Sequence, residues 1–425
     1  MRSSNLQTFL TMLRPNRLIH EAGAWKTMAT MSGRIEGQED FELKIPRTVP
    51  VTFTAEIPED GPADGLVFLI PGFGGDRDEV FSTMVRRHIA AKYNLVAVSV
   101  RAHCHICRLG PAVDGLKAAL NIDPEAVTLA LGSLLLQGST FEGLTALSPD
   151  AVLAYLKTLR PQRFELKATI LPPCSDYQNF GVLAALDHLR VLYHLMDQDV
   201  SFAHDNVVCL GTSHGGYISH LIHKFAPNNI SAVIDSSGYS ETMPKFLGFG
   251  DFEYTQPDGN LDYLCTTRTA WTNREVGAAN YFGTDEALIR DVAHPGHLQT
   301  LAVNTQARRC QFRLVHSTKD SLVDIALKRR QAKILSRFGY DVVLDEMGEG
   351  DVDGDFVTTL EHGLGIGLNK LFDRYYPTLS LQPGITDREA ETSLEFEGIH
   401  KSYRVEHRGK SGDEAASLSA SISIK

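Results

Sequence analysis

The stretch Val207-Val208-Cys209-Leu210-Gly211-Thr212-Ser213-His214-Gly215 decides how this chain is read. A short apolar run leads into G-x-S-x-G. An amphipathic helix pattern with Tyr217, Ile218, Leu221, Ile222 and Phe225 on one face leads out and stops at Pro227. A serine on so sharp a strand-to-helix turn takes a strained backbone conformation with its hydroxyl exposed. Glycines flank it because a Cβ there would strike the strand or the helix. Ser213 is therefore the candidate nucleophile.

The other parts fall in order around it. Upstream, Leu66-Val67-Phe68-Leu69-Ile70 reads as a buried strand ending in Pro71-Gly72-Phe73-Gly74-Gly75, where bare backbone can approach a ligand. An oxyanion hole is expected from the N–H of His214, the residue after the nucleophile, together with that of Phe73 or, as the alternate, Gly74. Downstream, an apolar strand over 311–316 runs into Ser317-Thr318-Lys319-Asp320, which places the Asp320 carboxylate just past the strand end. After one more helix and a strand over 341–344, Glu361-His362-Gly363 offers a histidine in a loop before a final helix. His362 would move the proton, since an imidazole titrates near neutrality, and Asp320 would fix its tautomer. Rival histidines are His316 at a strand end and His294 and His297 in an insertion. Rival acids are Asp324, better read as a helix N-cap, and Asp235 at the end of the preceding strand.

Composition sets limits on the reading. In 425 residues, 43% are hydrophobic, ample for a large α/β core, and the net charge of −11 disfavours nucleic acid or anionic lipid as a partner. No apolar stretch approaches the roughly 20 residues that span a bilayer, and residues 1–31 lack a continuous apolar core, so a cytoplasmic location is expected. The six cysteines are scattered and read as reduced, small apolar residues.

The pattern predicts an α/β fold: a mostly parallel central sheet flanked by helices, with cap or lid insertions. Residues 1–40 read as an extension with an amphipathic turn around 9–18, and 41–57 as antiparallel lead-in strands. The main domain spans 41–380, interrupted by cap insertions at about 101–175 and 239–307. Asp176 reads as the N-cap of a helix carrying Leu183, Leu186 and Leu189. Residues 381–425 turn charged and then serine-rich, and read as a disordered tail.

Two further clusters need a reading. His103-Cys104-His105-Ile106-Cys107 concentrates metal-type ligands at a strand end, but adjacent strand residues point to opposite faces and no matching second cluster follows, so no metal is expected. His103, with Arg101 and Arg108 beside it, is instead a candidate for substrate contact. The acidic loop 345–355 lacks a calcium loop's glycine, with Phe356 in its place, and His362 stands where the bidentate glutamate belongs. Residues 71–75 match neither G-x-G-x-x-G nor G-x-x-x-x-G-K. No cofactor is expected.

The elbow, the Ser–Asp–His order and Asp320-Ser321-Leu322-Val323 resemble the α/β-hydrolase superfamily, particularly its prolyl-oligopeptidase-like branch, over about residues 60 to 375. Asp176-Tyr177-Gln178-Asn179-Phe180-Gly181, Ala185-Leu186-Asp187-His188 and Gly211 to Tyr217 are similar to a bacterial family catalogued as domain of unknown function twenty-nine twenty. That resemblance implies the hydrolase fold and a serine triad. Members are often associated with flagellar or surface-glycan modification, which suggests a sugar acyl ester. The expectation is a serine hydrolase of a carboxylic ester working through an acyl-enzyme on a small-molecule or glycan substrate. Alternatives are an acyltransferase using the same triad, a peptidase, or a non-catalytic binding protein on the same fold.

Overall fold

Runs of β-branched and apolar residues separated by amphipathic stretches produce an alternation of buried strands and covering helices. The computed structural model describes residues 27–75, 80–136, 148–198, 200–248, 252–304, 310–381, 392–408 and 417–425. The chain opens with β1 (Met28–Ile35), β2 (Val51–Pro58), β3 (Gly65–Ile70), α1 (Val80–Tyr93) and β4 (Leu95–Arg101). There follow β5 (Ala119–Ile122), α2 (Pro124–Leu136), α3 (Pro149–Thr158), β6 (Phe164–Leu171), α4 (Val182–Asp197), β7 (Val207–Thr212), α5 (His214–Phe225) and β8 (Ala232–Ser236). Next are β9 (Tyr254–Asp258), β10 (Leu261–Thr267), α6 (Thr284–Arg290), α7 (Pro295–Asn304), β11 (Gln311–Ser317), α8 (Ile325–Arg337) and β12 (Asp341–Met347). The chain closes with α9 (Leu368–Tyr375), β13 (Thr392–Glu397), β14 (Lys401–Arg408) and β15 (Ser417–Ile424).

The chain divides into two units. The first comprises Met1–His105, Gly181–Thr242 and Arg274–Lys425. Its eight-stranded sheet has the order β1-β2-β4-β3-β7-β8-β11-β12. Pairings β1·β2 and β2·β4 are antiparallel and the remainder parallel. Alternate residues of the central strands face a core with α1 and α9, where Val67, Leu69, Val208 and Leu210 meet Ile89, Leu371 and Phe372. Phe68, pointing the other way, meets His188 of α4 edge-on. Each such buried side chain contributes about 1.5–3 kcal/mol relative to exposure. The second unit, Ile106–Phe180 with Met243–Asn273, is built on the four-stranded sheet β5-β6-β10-β9, with Leu166, Ile170, Leu261 and Leu156 in its own core.

Several expectations need correction. Residues 28–35, assigned to an extension, form edge strand β1, registered from Met28 against Pro58 to Ile35 against Val51. Residues 41–44, expected as strand, form a turn closed by the Asp40–Ile45 bridge, because Asp40 accepts the amides of Glu42 and Leu43. Helix α4 starts after Gly181, in a left-handed conformation at φ 91, so Asp176 is not its cap. Residues 274–304, placed in an insertion, return to the first unit with α6 and α7. The amphipathic turn around 9–18 lies outside the described residues.

The expectation of a disordered tail is overturned over residues 392–408 and 417–425. Strands β13, β14 and β15 form a sheet of their own, with Leu394, Phe396, Tyr403, Val405, Leu418 and Ala420 buried. These apolar residues alternate with charged residues and serines, so the average composition hides a strand pattern of period two. Phe396 packs edge-on against Phe225 of α5, and Asp285 at the start of α6 accepts the amides of Ile399 and His400.

His407 of β14 bridges the Tyr193 hydroxyl of α4 and the Phe225 carbonyl, at 2.6 and 2.7 Å. Burial pushes its imidazole down to about 4. The unfolded chain binds a proton near 6.5, so the stability this neutral ring supports is complete above about pH 6.5 and is lost as pH falls toward 4, about 3 kcal/mol in all. Hydrogen exchange should therefore show amide protection of β14 and β15 falling more steeply across that window in the native protein than in His407→Asn. Equal pH dependence in both would contradict the assignment.

Candidate active site

The elbow forms as its residue types require. Ser213 sits between β7 and α5 at φ 55, ψ −123, a region that costs a non-glycine residue on the order of 1–3 kcal/mol. Its N–H donates to the Ser236 carbonyl at 2.8 Å, and its carbonyl accepts the Tyr217 N–H at 3.1 Å, starting the helix. A Cβ on Gly211 would lie 2.3 Å from the Gly215 carbonyl oxygen, one on Gly215 2.0 Å from that of Ile70, and one on Gly216 2.1 Å from Asp235 Oδ1. All three positions must be bare for the turn to close.

The structure brings Ser213, His362 and Asp320 together. Ser213 Oγ lies 2.7 Å from His362 Nε2, and His362 Nδ1 lies 2.8 Å from Asp320 Oδ2. Because an ionised carboxylate only accepts, Nδ1 carries the proton and Nε2 is left to receive the serine's. Asp320 also accepts the Leu322 and Val323 amides at Oδ1, at 2.8 and 2.9 Å. Burial alone would raise its carboxyl, but the bonds from His362 and these amides hold it below the usual carboxylate range. The His362 loop turns through three residues of positive φ, Gly363, Leu364 and Gly365, and buries Leu364. It is tied to two strand ends: Gly363 N–H donates to Ser237 Oγ at 3.1 Å, and Ser317 Oγ donates to the Leu360 carbonyl at 2.6 Å.

The loop after β3 meets the same place. A Cβ on Gly72 would lie 3.3 Å from that of Ser213, and the Phe73 ring stacks on the His214 ring at 3.9 Å and 13°. Gly74, at φ 79, forms the turn closed by Gly75 N–H on the Gly72 carbonyl. The other candidates are placed differently. Arg101 is buried in β4, and the His103 N–H donates to Asp187, which also holds Arg47 through a two-pronged ion pair. Arg108 belongs to the second unit and lies 4.0 Å over the Tyr254 ring. His316 points at the Val323 carbonyl, His297 at that of Glu397, and Asp324 caps α8 through the Ala326 N–H. Among the described residues no group of three His, Cys, Asp or Glu side chains is arranged to hold a metal.

Sequence reading missed the turn after β8. Asp235 is fully buried between Lys328 of α8 at 2.9 Å and His220 of α5 at 3.0 Å, and its Oδ1 accepts the Gly238 N–H at 2.8 Å. Burial would raise its carboxyl; the Lys328 ammonium and His220 hold it well below the usual range. This anchor fixes Ser236, Ser237 and Tyr239, which touch Ser213 and the His362 loop. The available signal was Asp235-Ser236-Ser237-Gly238 at the carboxyl end of a parallel strand, where ligands of open α/β sheets gather.

This strand order, two antiparallel entries followed by parallel strands, with an elbow between β7 and α5, is the α/β-hydrolase fold. A family model described as "Protein of unknown function (DUF2920)" matches residues 32–408, and the chain belongs to that family. A search of curated proteins gave no match. Among solved structures the chain is similar to an acylaminoacyl peptidase from Pyrococcus horikoshii, at 12% identity and TM-score 0.43, over 85% of this chain and 43% of that one. It is similar to Est1E from Butyrivibrio proteoclasticus, solved with ferulic acid, at 12% identity and TM-score 0.41, over 78% and 96%. A puromycin-hydrolysing peptidase from Mycobacterium tuberculosis is matched at 14% identity and TM-score 0.42, over 83% and 40%. The chain thus spans less than half the length of both peptidases. Among the described residues no helix is long and apolar enough to cross a membrane.

Two glycines separate steric from conformational demand. Gly215→Ala pushes a Cβ into the Ile70 backbone and should cost more than about 3 kcal/mol in urea unfolding. Gly339→Ala, at φ 84 with open space around it, should cost only about 1 kcal/mol. Equal costs would mean that the elbow relaxes away from the close approach.

Proposed function

We propose that the protein is a serine hydrolase that cleaves a carboxylic ester through an acyl-enzyme. The observation that carries this reading is the continuous hydrogen-bond chain from Ser213 Oγ through His362 to Asp320, 2.7 and 2.8 Å long, on a strained elbow. A turn satisfied by any small residue would not need these three groups in this geometry.

In this reading the Ser213 oxygen attacks the ester carbonyl while its proton passes to His362 Nε2. Asp320, already ionised, stabilises the imidazolium without taking a proton. The N–H groups of His214 and Phe73 receive the charge that develops on the carbonyl oxygen, with Gly74 the alternate donor. His362 then returns the proton to the leaving alcohol, and water repeats the cycle to release the acid. The leading substrate class is an acyl ester on a sugar or surface-glycan precursor, met in the cytoplasm.

Covalent labelling with a fluorophosphonate tests this directly. The intact protein should be labelled, and folded Ser213→Ala and His362→Ala should not. Asp320→Asn should retain the fold and label more slowly by about 10⁴-fold, since an asparagine amide can donate to Nδ1 and leave the proton on Nε2, the tautomer that cannot take the serine's. Labelling that survives Ser213→Ala would remove the reading.

A further inference from the structure

Tyr239 has no part in the mechanism just given, yet its position is over-determined. It follows Gly238, whose N–H is held by Asp235, and precedes Ser240, whose hydroxyl donates to Gln331 Oε1 at 2.8 Å. Gln331 in turn accepts from Lys328 Nζ at 2.9 Å, so both neighbours of Tyr239 are fastened to one buried network. The ring is 1% exposed and sits among four others. It lies 17° from parallel with the His362 ring at 6.0 Å, and 6.1, 6.5 and 6.4 Å from those of His214, Phe73 and Tyr217. Its hydroxyl lies 3.5 Å from Ser213 Oγ.

Packing alone would be met by phenylalanine, because ring contacts of this kind need no oxygen. At 3.5 Å the hydroxyl makes at best a weak bond to the serine itself. It is within reach, however, of an oxygen on the carbon that Oγ attacks, and catalytic hydrogen bonds that are long in the free protein tighten as charge develops. We infer that the Tyr239 hydroxyl is a further catalytic group, a side-chain donor to the oxyanion of the tetrahedral intermediate alongside the backbone donors of Phe73 and His214. This rests on the serine-hydrolase reading above. During attack the Oγ–carbon bond forms, the carbonyl electron pair moves onto oxygen, and the serine proton goes to His362. Tyr239 donates a hydrogen bond and keeps its proton throughout. Its rigid anchoring means that no reorganisation is needed when the charge appears.

The test compares fluorophosphonate labelling rates of the intact protein, Ser213→Ala and Tyr239→Phe, with thermal unfolding of each. Phosphonylation also builds negative charge on an oxygen beside Oγ, so no natural substrate is required. Tyr239→Phe keeps the ring and should unfold at the native temperature while labelling more slowly by about 100-fold. Replacing Tyr239 with 3,5-difluorotyrosine, assayed below the pH at which that phenol ionises, keeps the shape, strengthens the donor and should speed labelling. Native rates in both variants, with labelling still lost in Ser213→Ala, would overturn the role of Tyr239 and leave the serine-hydrolase reading intact. No labelling of the intact protein would overturn both.

Discussion

Everything in the site depends on holding Ser213 at a positive φ. A residue with a Cβ does not stay there unless neighbours over-determine it. Here the Ser236 carbonyl takes the serine N–H, α5 begins on the serine carbonyl, and three bare glycines let strand, helix and the β3 loop close to contact distance. The strained turn presents Oγ outward, and the ends of β8 and β11 are arranged around that atom.

Behind the turn lies a buried charge. Asp235, Lys328 and His220 are withdrawn from water, and such groups add little net stability even though breaking the set is costly. Their consequence is geometric. The carboxylate stands where side chains on Gly216 and Gly238 would collide with it, and it pins the backbone from which Ser236, Ser237 and Tyr239 reach Ser213 and the His362 loop. Burial lowers the tendency of His220 to take a proton against the pull of Asp235, so Lys328 is the cation on which the anchor relies.

Much of this was legible in the sequence because the signals were local. The strand before Ser213, the glycines beside it, and Asp320 and His362 just past strands or before a helix depend on short-range pattern and on the parallel order of the sheet. Two parts were not legible. The C-terminal sheet was concealed because its apolar residues, such as Leu394, Phe396, Tyr403 and Val405, alternate with charges, and Phe396 is covered by helices far away in sequence, α5 through Phe225 and α7 through His297. The partners of Asp235 lie on two helices distant in sequence, so nothing nearby marked it as an anchor in place of a catalytic acid.

The claim at the centre is that Ser213 becomes acylated. Rapid mixing with excess p-nitrophenyl acetate, acid quenching and peptide mass mapping tests it most directly. The account predicts a burst of nitrophenolate equal to the protein present and an acetyl group on the peptide carrying Ser213. No burst, or acetyl groups confined to surface lysines, would contradict it.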